Sequence, residues 1–138
     1  MYNSCCWAAP RSALEKLDIT HRRHLRSILN YKFPNIISNE NLYKRCETEP
    51  LSVKVDRSRW RMLGHILRGP VDGPAYTSLV FALNTLNLPG RVGRPQSNLF
   101  SLIKKDLKDR GLSFNNIQDL ERVESLASDR SRWKRLNI

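Results

Sequence analysis

Carboxylates are scarce in this chain of 138 residues: 13 aspartates and glutamates stand against 24 lysines and arginines, a formal charge of +11 with a pI near 10.1. A pI above 9 makes a polyanion the default partner. Cysteine is scarce too. Cys5, Cys6 and Cys46 are odd in number and two are adjacent, which suits a reducing compartment, intracellular and either nuclear or cytoplasmic, better than a disulfide scaffold. No apolar run approaches the roughly 18 residues of a membrane span, so a membrane partner is not expected. Residues 1–10 are mildly apolar but too short for a secretory signal, and a basic stretch follows where a cleavage site belongs. They are expected to be a ragged N-terminal segment.

Catalytic patterns are missing as well. There is no aspartate pair for two-metal phosphoryl transfer, no identifiable Ser/His/Asp set and no motif-like Cys/His pair. Glu47 and Glu49 flank a helix break among basic residues, where carboxylates balance charge. His21 and His24 lie three apart and, with the cysteines, invite a zinc site, but adjacent cysteines rarely both reach one tetrahedral ion. In projection both histidines fall on the apolar face of a helix and are expected to be core or interface residues. The chain is therefore expected to be no enzyme and to hold neither cofactor nor metal. The loop Gly90, Arg91, Val92, Gly93, Arg94, Pro95 has no strand before it and no Gly-Lys-Ser/Thr ending, which excludes a P-loop. Gly93, Arg94 and Pro95 match part of the minor-groove Arg-Gly-Arg-Pro core, and a basic connector explains them equally well.

What the chain does contain is amphipathic helices. Over residues 51–68, at roughly 100° per residue, Leu51, Val55, Trp60, Met62, Leu63, Ile66 and Leu67 share one arc. Lys54, Arg57, Arg61, Gly64, His65 and Arg68 fill the opposite arc, and the helix's acid, Asp56, lies apart near Arg59. Such a helix can bury one face and turn a cationic ridge to a polyanion. A second basic helix, residues 12–30, carries Leu14, Leu17, Leu25, Ile28 and Leu29 as its stripe, with Lys16, Arg22, Arg23 and Arg26 opposite.

Punctuation sets the remaining elements. Ser38 is expected to cap a brief helix to about residue 47, Pro50 to open the long helix, and Gly69 and Pro70 to close it. The segment 69–75, with two glycines and two prolines, marks a hinge. A neutral, largely buried helix is expected over 75–86, then a loop, a helix over 98–110 capped by Ser97 and stopped by Gly111, a helix over 114–126 capped by Ser113, and a last one over 129–136. The expected fold is all-α, six or seven short to medium helices in one bundle or two small lobes. Its parts are the ragged segment 1–10, a basic lobe 11–69, a hinge, buried helix and loop 70–97, and a C-terminal lobe 98–138.

Four blocks in order resemble a known family. His21, Arg22, Arg23, Leu25, Arg26 and Ile28 resemble the His-Arg-Arg-x-Leu-Arg-x-Ile signature that follows the polymerase core of non-LTR retrotransposon reverse transcriptases. Arg59, Trp60, Leu63, Gly64, His65, Ile66 and Arg68 resemble the Leu-Gly-His helix of that family. Gly93, Arg94 and Pro95, with Asp106, Leu107 and Arg110, resemble the next block, and Ala127, Asp129, Arg130, Arg132 and Trp133 its Ala-x-Asp-Arg-x-x-Trp ending. Val92 and His24 depart from the pattern, as does the segment 71–82. The resemblance, over residues 11–136, implies a post-polymerase, thumb-like region whose endonuclease and polymerase sites lie in upstream domains. The expected function is thus a non-catalytic module that grips the backbone of RNA, DNA or an RNA–DNA hybrid, in the company of a parent polymerase core. Its expected contacts are Arg22, Arg23, Arg26, Lys54, Arg57, Arg61, His65, Arg68, Arg91 and Arg94. The alternative is a vestigial or domesticated helical domain that docks on a protein. Trp60 and Trp133, close to apolar arcs, are expected to be core anchors.

Overall fold

The structure, a computed structural model, describes residues 3–85 and 98–136. Among these, a short 3-10 turn at Ser4–Cys6 precedes seven helices: α1 (Arg11–Ile28), α2 (Asn39–Arg45), α3 (Leu51–Leu67), α4 (Pro74–Thr85), α5 (Leu99–Asp109), α6 (Ile117–Ser128) and α7 (Arg130–Arg135). The chain is all-α, as its apolar periodicity dictates. No helix among the described residues is long and apolar enough to cross a membrane.

Two compact units divide the chain, Ala9–Arg57 and Met1–Ala8 with Ser58–Ile138. The boundary falls inside α3, after its second turn. The Gly/Pro segment 69–75 is therefore not the divide; it joins α3 to α4 within the second unit through a turn in which Gly73 N–H donates to Pro70 O at 3.0 Å. Leu67 before it and Leu79 after it share one core.

That core is built from every helix of the unit. Trp60, Leu63 and Leu67 of α3 meet Leu79 and Leu83 of α4, Ile103 and Leu107 of α5, Leu120, Val123 and Ala127 of α6, and Trp133 of α7. The expectation of a largely buried α4 holds only for one side, since Phe81 is exposed. Phe114 is buried in the same cluster from the loop before α6. Phe114 lies outside the helix, and α6 begins three residues later than expected. Asn116, not Ser113, caps it: Asn116 Oδ1 accepts from Asp119 N–H at 2.8 Å, and Asp119 Oδ2 accepts from Asn115 N–H at 3.0 Å. Likewise Asn98, not Ser97, caps α5, accepting from Ser101 N–H at 2.7 Å.

The first unit has a smaller interior. Leu42 and Val55 are fully enclosed, whereas Leu14, Leu17, Leu25 and Leu29 are half-buried and Ile28 is exposed. The α1 stripe is thus covered only in part, and His24, expected on the apolar face, is exposed as well. Ser38 caps α2 as expected, with its hydroxyl accepting from Asn41 N–H at 3.3 Å. Helix α3 is capped from outside its own sequence: Asp18 of α1, itself buried, accepts from Ser52 N–H at 3.0 Å and Ser52 Oγ–H at 2.6 Å.

Three helices close with a left-handed residue followed by paired backbone bonds, the Schellman arrangement. Asn30 (φ 57°) ends α1, Glu47 (φ 47°) ends α2 and Gly111 (φ 74°) ends α5. In each, the next residue donates back to the carbonyl five positions earlier: Tyr31 to Arg26, Thr48 to Tyr43, Leu112 to Leu107.

Candidate nucleic-acid interface

The first unit gathers cations around an open groove of about 560 Å³. Arg22, Arg23 and Arg26 reach it from the polar face of α1, and the Asn30 closure returns the chain so that Tyr31 and Lys32 line it too, with Asn39 at the start of α2. No carboxylate lines the groove. Arg26 is partly spent on structure: its Nη2 donates to Asn39 Oδ1 at 2.7 Å and to Ile37 O at 3.3 Å, holding the α1–α2 loop. Tyr31 is held from the other side, its hydroxyl accepting from Arg45 Nη1 at 2.7 Å while the guanidinium stands 5.6 Å from the ring centre. Arg22, Arg23 and Lys32 remain to meet an anion. Lys32 was not among the expected contacts because it lies beyond the helix, where periodicity gives no direction. The available signal was Asn30, a residue type that tolerates the left-handed turn and so brings the following residues back onto the helix.

The basic arc of α3 is not one free ridge. Arg57 Nη1 bonds Glu49 Oε1 at 2.6 Å, and Lys54 Nζ donates to Thr48 Oγ1 at 3.1 Å. Gly64 is buried, and a Cβ there would stand 2.3 Å from Trp133 Nε1, so α7 occupies the place where the projection put open surface. Arg68 Nη1 donates to Ala127 O at 2.8 Å. Arg61 and His65 are exposed. A projection sorts residues by direction and cannot know that a second element covers part of the polar side. Arg91 and Arg94, with the rest of the Gly/Arg/Pro loop, lie outside the described residues.

The residues that carry the family resemblance in the second unit meet one another. Arg59, only 3% exposed, forms a bidentate pair with Asp106, Nε to Oδ2 at 2.6 Å and Nη2 to Oδ1 at 3.2 Å. Trp60 and Trp133 stack at 4.1 Å between centroids, and each indole N–H donates to the other's backbone carbonyl, at 3.0 and 3.2 Å. Both are the core anchors expected of them. The Arg110 guanidinium lies 4.3 Å from the Trp60 ring centre and its Nε donates to Leu136 O. Arg59, Trp60, Asp106, Arg110 and Trp133 thus hold the second unit together.

Titration follows from the same contacts. His21 is held below its ordinary pKa by burial and by Lys54, with Asp18 opposing. The Cys6 thiol is pushed up, chiefly by its hydrogen bond with Cys5. Tyr76, whose hydroxyl donates to Glu124, is raised to about 12. None of these lines the basic groove. Among the described residues, no group of three His, Cys, Asp or Glu side chains could hold a metal ion. No protein-family model, curated protein or solved structure matches the chain.

Proposed function

We propose that the chain is a non-catalytic nucleic-acid-binding module that grips the sugar-phosphate backbone without reading bases. One observation carries this reading: an open groove on the first unit is lined by Arg22, Arg23, Arg26 and Lys32 and by no carboxylate. Surface arginines usually sit among acids, and a one-signed concave site raises the local concentration of polyanions. The net charge of +11 acts in the same direction. The resemblance to the post-polymerase region of non-LTR retrotransposon reverse transcriptases adds the substrate class, template and primer as RNA, DNA or their hybrid.

The test is fluorescence anisotropy of the full chain against duplex DNA, RNA–DNA hybrid and single-stranded RNA over a salt series. Replacing Arg22, Arg23 and Lys32 by glutamine should flatten the log–log salt dependence by about 2.7 on duplex DNA if all three touch phosphate. Unchanged affinity and slope would remove the groove from the interface.

A second reading rests on a different feature. Ile28, Phe33 and Ile36 are 79%, 91% and 83% exposed around the α1–α2 loop, and such apolar side chains suit docking on a protein. The resemblance names a parent polymerase core as one such partner. Loss of that docking after F33S and I36S substitutions, with nucleic-acid affinity intact, would favour this second role.

A further inference from the structure

Helix α7 carries four exposed cations in six residues, Arg130, Arg132, Lys134 and Arg135, and its one apolar residue of size, Trp133, is buried. At about 100° per residue Arg135 stands nearly opposite Trp133, with Arg132 and Lys134 on either flank. The ring that faces inward fixes the helix: Trp133 is stacked on Trp60, bonded to it twice and seated against Gly64 of α3. One turn to either side of that seat α3 presents Arg61, exposed, and Arg68.

Among the described residues no salt bridge reaches the four cations of α7, and the acid whose charge bears on Arg132 and Arg135 is Asp129. Asp129 is their nearest acid in sequence, and it caps α7, accepting from Ser131 N–H at 2.9 Å and Arg132 N–H at 3.0 Å. Asp106 is held by Arg59 and Glu124 by Tyr76. Burial, and after it the charge of Arg130, lower the Arg68 pKa. Like charges held together on a rigid frame store repulsion that a polyanion relieves.

We infer that the α7–α3 crossing is a second phosphate-backbone site, and that it takes double-stranded nucleic acid without regard to sequence. The inference rests on the nucleic-acid reading above and adds both a site and a substrate preference to it. Single-strand sites pair cations with rings on which bases stack. At this crossing both indoles are buried and offer no stacking platform, which leaves exposed cations suited to phosphates. The cations project from a short, capped helix pinned by two hydrogen bonds, a fixed array suited to the fixed phosphates of a duplex rather than to a flexible strand.

The experiment compares three full-length chains: the wild type, R130Q/R132Q/K134Q/R135Q, and the groove variant R22Q/R23Q/K32Q. Each is titrated against a labelled duplex of roughly 20 base pairs and a single strand of equal length, from about 50 to about 300 mM salt, with several sequences. The α7 variant should lose about 3.6 from the duplex salt slope and bind the duplex at least about tenfold more weakly at low salt, with the single strand changing much less. Near-ultraviolet circular dichroism of the Trp60–Trp133 pair reports whether the fold survives, and the milder K134Q/R135Q pair should lose about 1.8 in slope if the fourfold variant does not. Wild-type duplex affinity in the α7 variants, or an equal loss on duplex and single strand, overturns the inference. If only the groove variant loses binding, the proposed function stands without this second site. A wild-type chain that binds neither strand type removes both.

Discussion

Gly64 is the residue on which the second unit's assembly turns. Its missing Cβ is the space that Trp133 occupies, with Nε1 and Cδ1 only 2.3 and 2.7 Å from where that atom would lie. Alanine is intrinsically the better helix former by about 1 kcal/mol, yet G64A must push an indole that is stacked on one side and hydrogen-bonded on its edge. Overpacking of this kind costs about 1–3 kcal/mol. Denaturant unfolding followed by tryptophan fluorescence should therefore show G64A less stable than the wild type despite the better propensity, with a changed native emission. A variant more stable than the wild type would mean that Trp133 is not seated there. Nothing in the sequence announced this contact. Glycine has no hydropathy of its own, so the projection assigned Gly64 to the basic arc, and only its partner 69 residues later gives it a role. The tryptophans were legible, because their positions beside apolar arcs already demanded burial.

At the level of elements, helix existence was written in local periodicity, and helix ends were written there only when the capping group is local. Ser38 was readable because it directly precedes α2. The start of α3 was readable from Pro50, but its capping group was not, because that carboxylate comes from Asp18, 34 residues earlier and on another helix. D18A strips both the backbone N–H and the hydroxyl of Ser52 of their acceptor in a half-buried site, a loss of about 1–2 kcal/mol. D18N, which keeps one acceptor oxygen, should lose less. Thermal melts of the two variants in parallel check the order, and equal melting temperatures for D18A and the wild type would refute the capping role. The groove was half legible for a related reason: Arg22, Arg23 and Arg26 share a helix face, whereas Lys32 joins them only through the left-handed turn at Asn30.

Across the whole molecule, the two units differ in how much they enclose. Among the described residues the second gathers twelve buried apolar side chains, eleven from its helices and Phe114 from a loop, whereas the first fully encloses only Leu42 and Val55 among its apolar residues. Local opening is easiest where few apolar contacts hold a helix. Hydrogen exchange should show the central amides of α1 and α2 exchanging well before those of α5 and α6, and protection of α1 equal to that of α6 would contradict it. The all-α class followed from periodicity alone, but the division of the chain did not. Glycine and proline mark where a chain turns, and the divide lies instead within a continuous helix where punctuation is silent. The Trp60–Trp133 lock has a consequence in time. Its two halves are separated by 73 residues, so on the ribosome Trp60 is made first and waits for its stacking partner until Trp133 has been synthesised. For that interval the nascent chain carries an indole without its stacking partner, and the helix that supplies the partner also brings four cations in six residues.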